Sequence, residues 1–244
     1  MLKLTKAPAT ARDSGAAKPT RPTKAAPPGA INARRQQYGE AVILDGLPLN
    51  VRPLLLASYT GQALEAGLDE AGRGCLAGPV FAAAVILPPD FSPRFLTDSK
   101  QLSAKRREAL RPEICAEAVA WAVGQATVAE IGRLNIAQAS YLAMHRAVAA
   151  LPVAPTHLLV DGNRFTSLPG FTHTCIVGGD GLYRSIAAAS ILAKTFRDDH
   201  MHALAREFPA YGWQQNAGYP TPSHRAAIRA HGPCAHHRPG FRLL

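Results

Sequence analysis

Four carboxylates in this 244-residue chain stand where apolar runs give out. Asp69 and Glu70 follow Leu64 to Leu68, Asp161 opens Asp161-Gly162-Asn163 after His-Leu-Leu-Val, and Asp180 follows the next apolar run and Gly178-Gly179. Acids distant in sequence converge when their strands end on the same edge of an α/β sheet, where ligands gather. Converged, they suit hard cations such as Mg2+ or Mn2+, which take oxygen ligands, and a pair of such ions stabilises both the attacking and the leaving oxygen of phosphodiester hydrolysis. Each acid alone reads as an ordinary turn residue; the combination carries the chemistry.

A second feature adjoins the first pair. In Gly67-Leu68-Asp69-Glu70-Ala71-Gly72-Arg73-Gly74, glycines flank Arg73, so that backbone amides can approach a sugar or phosphate that a side chain would hold off. His224, Cys234, His236 and His237 lie close in sequence but lack a zinc-ligand spacing. The four cysteines, Cys75, Cys115, Cys175 and Cys234, form no Cys-x-x-Cys pair and read as reduced thiols.

The elements that must position these groups read as mixed α/β. Leu64 to Leu68 and Val80 to Leu87 are expected strands, the second bounded by Gly78-Pro79 and Pro88-Pro89. A helix is expected after Ser103, with Leu110, Ile114 and Ala118 on one face and a kink or restart at Pro112. Asn135 caps a helix running towards Leu151, with Tyr141, Leu142, His145 and Val148 on its core face, which makes His145 a core residue. His157 to Val160 and Thr174 to Val177 read as strands. Ser185 to Glu207 reads as a long helix whose Ala187-Ala188-Ala189 allows close packing on a sheet.

Composition bounds the rest. The formal net charge is +10, which invites a polyanionic partner. Residues 1–40 hold eight Lys/Arg against two Asp/Glu, which leaves 19 against 15 for the remaining chain, so most of the excess charge sits in the N-terminal segment. That segment, rich in Ala, Pro and Thr, reads as a disordered basic tail, with an organelle transit peptide as the alternative. Residues 41–63 read as a linker and 64–244 as the catalytic domain. No apolar run reaches membrane-spanning length, so a cytoplasmic protein is expected.

At the level of motifs, the chain resembles the type 2 ribonuclease H family, in particular bacterial ribonuclease HII. The matching strings are Asp-Glu-Ala-Gly-Arg-Gly at 69–74, Asp98-Ser99-Lys100, Leu134-Asn135-Ile136, Asp161-Gly162-Asn163 and Gly179-Asp180. They continue with Ser185 to Lys194, Gly218-Tyr219-Pro220-Thr221 and His236-His237-Arg238, in the family's order. The resemblance implies a ribonuclease H-like fold with a central mixed sheet flanked by helices and a helical C-terminal portion. It implies an endonuclease that hydrolyses the RNA strand of RNA/DNA hybrid duplexes and cuts 5′ of ribonucleotides in DNA, acting as a monomer. Asp69, Glu70, Asp161 and Asp180 match the family's catalytic, metal-holding carboxylates. Gly72, Arg73 and Gly74 match contacts to the 2′-hydroxyl that marks RNA, and Tyr219 matches the tyrosine that packs on the following sugar. Lys100 and Lys194 are the expected phosphate contacts.

Two departures stand out. Many members have Val-Lys-Gly-Asp where this chain has Val177-Gly178-Gly179-Asp180, which removes a cation near the site. Pro239-Gly240-Phe241 leads almost directly to Leu244, and no clamp-binding motif is evident. The competing readings are a hybrid-binding module with weak catalysis, for which Gly178 is the hint, and a related carboxylate nuclease cutting DNA junctions.

Overall fold

The computed structural model describes residues 55–91, 93, 96 and 102–244, together with the backbone of two short strands, β1 (Ile43–Leu44) and β2 (Leu47–Pro48). The expected basic tail and the Asp98-Ser99-Lys100 string lie outside these residues. By contacts the chain divides into Met1–Pro53 and Leu54–Leu244. Within the first unit β1 and β2 pair antiparallel; everything below concerns the second.

Its sheet has five strands in the order β5-β4-β3-β6-β7: β3 (Glu65–Ala71), β4 (Val80–Ile86), β5 (Ala120–Ala126), β6 (His157–Asp161) and β7 (His173–Ile176). The first three form an antiparallel meander, and β6 and β7 add in parallel beyond β3. The helices are α1 (Ala104–Glu117), α2 (Val128–Leu134), α3 (Ile136–Ala149), α4 (Arg184–Glu207), α5 (Trp213–Asn216) and α6 (Pro222–His231).

Period-two alternation sorts the sheet residues onto two cores. Ala66, Leu68, Ala82, Ala84 and Leu158 face α3, whereas Ala83 and Val85 face α1 and α4. Small residues set the distances on both sides. A β-carbon on Gly124 would lie 2.2 Å from the Ala143 carbonyl oxygen of α3, and one on Gly67 would lie 2.2 Å from the Ser185 carbonyl carbon of α4. Both helices therefore sit closer to the sheet than any larger residue at those points permits.

Several expectations shift. β3 runs through Asp69 and Glu70 to Ala71, because its antiparallel ladder with β4 continues to the pair Ala71 and Phe81. The α1 helix passes Pro112 without a break. Pro112 is exposed, so the carbonyl that loses its helical partner faces water. The buried face of α3 is Ala139, Ser140, Ala143, Met144, Ala147 and Val148, and Tyr141, Leu142 and His145 fall on its flank. Ala139, Ser140, Ala143 and Ala147 let this face pack closely on the alanines and glycine of β4 and β5. His145 is half-buried, with Nε2 bonded to the Thr166 carbonyl at 2.8 Å and its ring edge-on to Phe165.

Residues 55–63, expected as linker, are in contact with the domain. Leu56 exchanges main-chain bonds with Leu182 and Arg184 (2.8 and 3.0 Å), and Tyr59 stacks on His157. Glu65, buried at the start of β3, accepts the amides of Tyr59 and Thr60.

Candidate active site

The parallel register of β3 and β6 builds the site. Leu68 lies opposite Val160, so Asp69 and Asp161 follow one residue later on neighbouring strands and point to the same face, the one covered by α4. Beyond β7, a 3-10 turn over Gly179–Gly181 carries Asp180 back towards them. The turn is tied in place by the Gly179 amide, which donates to Asp161 Oδ1 at 2.7 Å. One carboxylate oxygen from each of Asp69, Asp161 and Asp180 then lies within 4.8 Å of the others.

Glu70 is not part of this trio. Alternation starts its side chain on the opposite face of β3, and its carboxylate bends to the cleft rim, where Arg73 Nη1 bonds Oε1 at 3.2 Å. The Glu70 amide, however, donates to Asp69 Oδ1 at 2.7 Å, so the two acids share one strand end.

The electrostatics at Asp69 make the trio a candidate cation site. Asp69 is 4% exposed, and burial pushes its carboxyl well above the usual carboxylate range. The Glu70 and Asp161 carboxylates add to the effect, and the Ser190 hydroxyl and Glu70 amide oppose it. Crowded, desolvated oxygens of one sign are relieved by a divalent cation, and an all-oxygen set suits Mg2+ or Mn2+ over softer metals.

The same cleft is lined by Gly72, Arg73, Gly74, Lys194 and Tyr219. Gly72 has φ +100°, a conformation that favours glycine. Lys194 bonds Asp198 one turn further along α4 (2.5 Å) and lies 5.7 Å from the Tyr219 ring centre. Tyr219 is 36% exposed. Lys100 lies outside the described residues.

The site also contains residues that motif reading passed over as individuals. Ser190 and Arg107 line the cleft, and Ser190 hydrogen-bonds Asp69. Helical spacing is the signal that finds Ser190: positions 190, 194, 197 and 201 form one stripe of α4. Arg197 and Arg238 lie beneath the glycine loop; Arg238 stands in the His236-His237-Arg238 string, whereas nothing in the linear sequence distinguishes Arg197 from a surface cation.

The C-terminal histidines form a buried hydrogen-bonded cluster. His224 Nδ1 donates to the Tyr219 carbonyl (2.9 Å), so Nε2 accepts from Trp213 Nε1 (3.0 Å). His237 Nδ1 accepts the Cys234 amide (3.0 Å), which leaves its proton on Nε2, facing His224 Nε2 at 3.3 Å. His236 packs edge-on against Phe208 and Trp213.

Acidic residues at adjoining strand ends, on a mixed sheet flanked by helices, define a ribonuclease H-like fold. The ribonuclease H2 of Pyrococcus horikoshii OT3 superposes with a TM-score of 0.63 at 23% identity, covering 73% of this chain and 94% of that one. The ribonuclease HII of Archaeoglobus fulgidus, solved in a complex with PCNA, gives 0.62 at 25% identity, covering 74% and 96%. In sequence, the family profile Ribonuclease HII matches residues 66–243. The ribonuclease HII of Parabacteroides distasonis is 64% identical over 191 residues, 78% of this chain and 96% of that protein. That of Bacteroides fragilis is 59% identical over 191 residues, 78% and 95% respectively. The chain belongs to the ribonuclease HII family, a group of metal-dependent endoribonucleases.

Proposed function

We propose that this protein hydrolyses the RNA strand of RNA/DNA hybrids and cuts on the 5′ side of single ribonucleotides embedded in DNA, leaving 5′-phosphate and 3′-hydroxyl ends. The observation that carries the reading is the approach of Asp69, Asp161 and Asp180 to within 4.8 Å, with Asp69 and Asp161 lining a cleft shared with the glycine loop and Tyr219.

Asp69, Asp161 and Asp180 would hold two divalent ions, Mg2+ or Mn2+, with Glu70 joining from the rim. Once bound, the ions supply Lewis-acid stabilisation to the attacking and leaving oxygens. The residues of the chain do the rest. Ser190 and the Glu70 amide orient the Asp69 carboxylate, and the Gly179 amide orients Asp161. The amides around Arg73 and Gly74 approach the sugar 2′-hydroxyl, the group that separates RNA from DNA. Tyr219 offers its ring to the next sugar, and Lys194 and Arg73 sit at phosphate-contacting distance from the cleft, each already oriented by an acid.

The test is cleavage of a labelled DNA duplex containing one ribonucleotide, in Mg2+, Mn2+ or EDTA, beside an all-DNA duplex and an Asp69→Asn protein. A metal-dependent cut immediately 5′ of the ribonucleotide, missing from both controls, supports the reading. Binding without a cut by folded protein refutes it and favours the weak-catalysis module.

A further inference from the structure

The glycine loop is fastened from beneath by two arginines that the proposed chemistry leaves unused. Arg197 of α4 is 0% exposed and Arg238 is 1% exposed. Arg197 donates to the carbonyls of Pro79 (3.2 Å), Ala217 (2.9 Å) and Ala77 (3.1 Å). Arg238 donates to those of Gly78 (2.8 Å), Arg73 (3.0 Å) and Pro79 (3.2 Å). All of these acceptors are main-chain oxygens, and among the described residues neither guanidinium has a carboxylate partner. Burial pushes Arg238 down to about 10, which still leaves it charged at neutral pH. Burying two such cations is costly, and the six hydrogen bonds that offset the cost all fall on main-chain carbonyls of the loop and its neighbours, so they fix its geometry.

That geometry is specific. The carbonyls of Arg73, Ala77, Gly78 and Pro79 turn inward onto the two forks, while the amides of Arg73 and Gly74 take no acceptor among the described residues. Arg197 occupies the space that Gly72 leaves free: a β-carbon there would lie 2.1 Å from its Nε. The same guanidinium holds Ala217, two residues before Tyr219, and lies 5.8 Å from the Tyr219 ring centre. A main-chain bond from Leu76 to the Gly218 carbonyl (2.8 Å) completes the link. The loop and the tyrosine are thus mounted on one rigid pair of planar forks.

We propose that Arg197 and Arg238 are positioning residues that set ribose discrimination, by fixing the spacing between the amides of Arg73 and Gly74 and the ring of Tyr219. This rests on the reading of those groups as the sugar-contacting parts of the site. Lysine at either position keeps the charge but loses the planar fork, and its donors, gathered on one nitrogen, do not span the three carbonyls that the guanidinium holds.

The experiment measures affinities of wild type, Arg197→Lys and Arg238→Lys for a duplex with one ribonucleotide and for the same duplex in all-DNA form. Ca2+ replaces the working metal and the substrate is verified intact. The expected result is a wild-type preference for the ribonucleotide duplex that shrinks about ten-fold in each variant, the worth of one well-placed hydrogen bond. All-DNA affinity and its salt dependence should stay unchanged, because the charge is kept. A folded variant that retains the full preference overturns the proposal, as does an equal weakening on both duplexes. A wild type without preference defeats the underlying reading of the sugar-contacting parts instead. Amide exchange on the wild type decides the case if neither variant folds. The bonded amides of Cys75, Leu76 and Gly78 should exchange only through global unfolding, and exchange at the rate of an open loop overturns the clamp.

Discussion

The main chain of α4 crosses β3 so closely at Gly67 that a β-carbon on the glycine would lie 2.3 Å from the Ile186 nitrogen. Neither backbone can yield without lifting the helix that carries Ser190, Lys194 and Arg197. Gly67→Ala is therefore expected to cost about 3 kcal/mol, the upper end for overpacking, seen in urea unfolding as a lower midpoint with unchanged slope. Gly74 is the contrasting case, because a β-carbon there meets nothing within 4 Å. Gly74→Ala should stay within about 0.5 kcal/mol of wild type while cleaving the ribonucleotide duplex more slowly, which assigns the loss to substrate contact.

Asp69 sets stability against activity. Its carboxyl is raised by burial and by Glu70 and Asp161, so between the unfolded value near 3.8 and the raised folded value the native state binds more protons than the unfolded state. Stability of the metal-free protein should then fall as pH rises through that window. Asp69→Asn should melt higher than wild type in EDTA at neutral pH, lose cleavage, and gain less stability on adding Mn2+. A lower melting temperature in EDTA would contradict this account of the trio.

The histidine cluster has the opposite pH dependence. Burial, with His224 alongside, pushes His237 down to about 4, and burial lowers His224 as well. Between about 6.5 and 4 the unfolded chain takes up the proton that the folded cluster refuses. The contribution of His237 is complete above about pH 6.5 and declines on acidification by up to about 3 kcal/mol, levelling off below pH 4. Urea unfolding of wild type and His237→Asn at pH 7, 5.5 and 4.5 isolates it: the stability gap between the two should narrow with acid.

Gly178 takes φ +67° at the start of the Asp180 turn, and a β-carbon there meets nothing within 4 Å. Gly178→Lys should cost about 1 kcal/mol for the left-handed backbone and tighten duplex binding. The plot of log affinity against log salt should steepen by about 0.9. An unchanged slope would show that the restored cation does not reach a phosphate.

Much of this arrangement was legible in the sequence, and the failures share a cause. Apolar runs ending in acids located β3 and β6, and Asn135 marked the start of α3 through its bonds to the Ala137 and Gln138 amides. The alternating strand β5 was passed over, because Ala-Trp-Ala-Val-Gly-Gln-Ala carries little of the β-branched signal and its pairing depends on β4. The buried face of α3 was read correctly at Val148 and misjudged at Tyr141, Leu142 and His145: close packing on an alanine-rich sheet favours small residues at several points, whereas hydrophobicity alone selects large ones. Separating Glu70 from Asp69 needed the pleat, since adjacent residues in a strand point to opposite faces. Arg197 had no linear signature, and the His236-His237-Arg238 string marked Arg238 without showing its task, because the partners of both are main-chain oxygens supplied by distant segments.

The bond from Arg238 to the Arg73 carbonyl joins residues 165 positions apart. In the order of synthesis, the turn that would read the sugar is among the first parts of the domain to leave the ribosome. It is secured much later, since its fastener is made 165 residues further along the chain. A growing chain therefore carries its carboxylates before it carries a settled reader, and selectivity matures only once the segment bearing Arg238 has emerged.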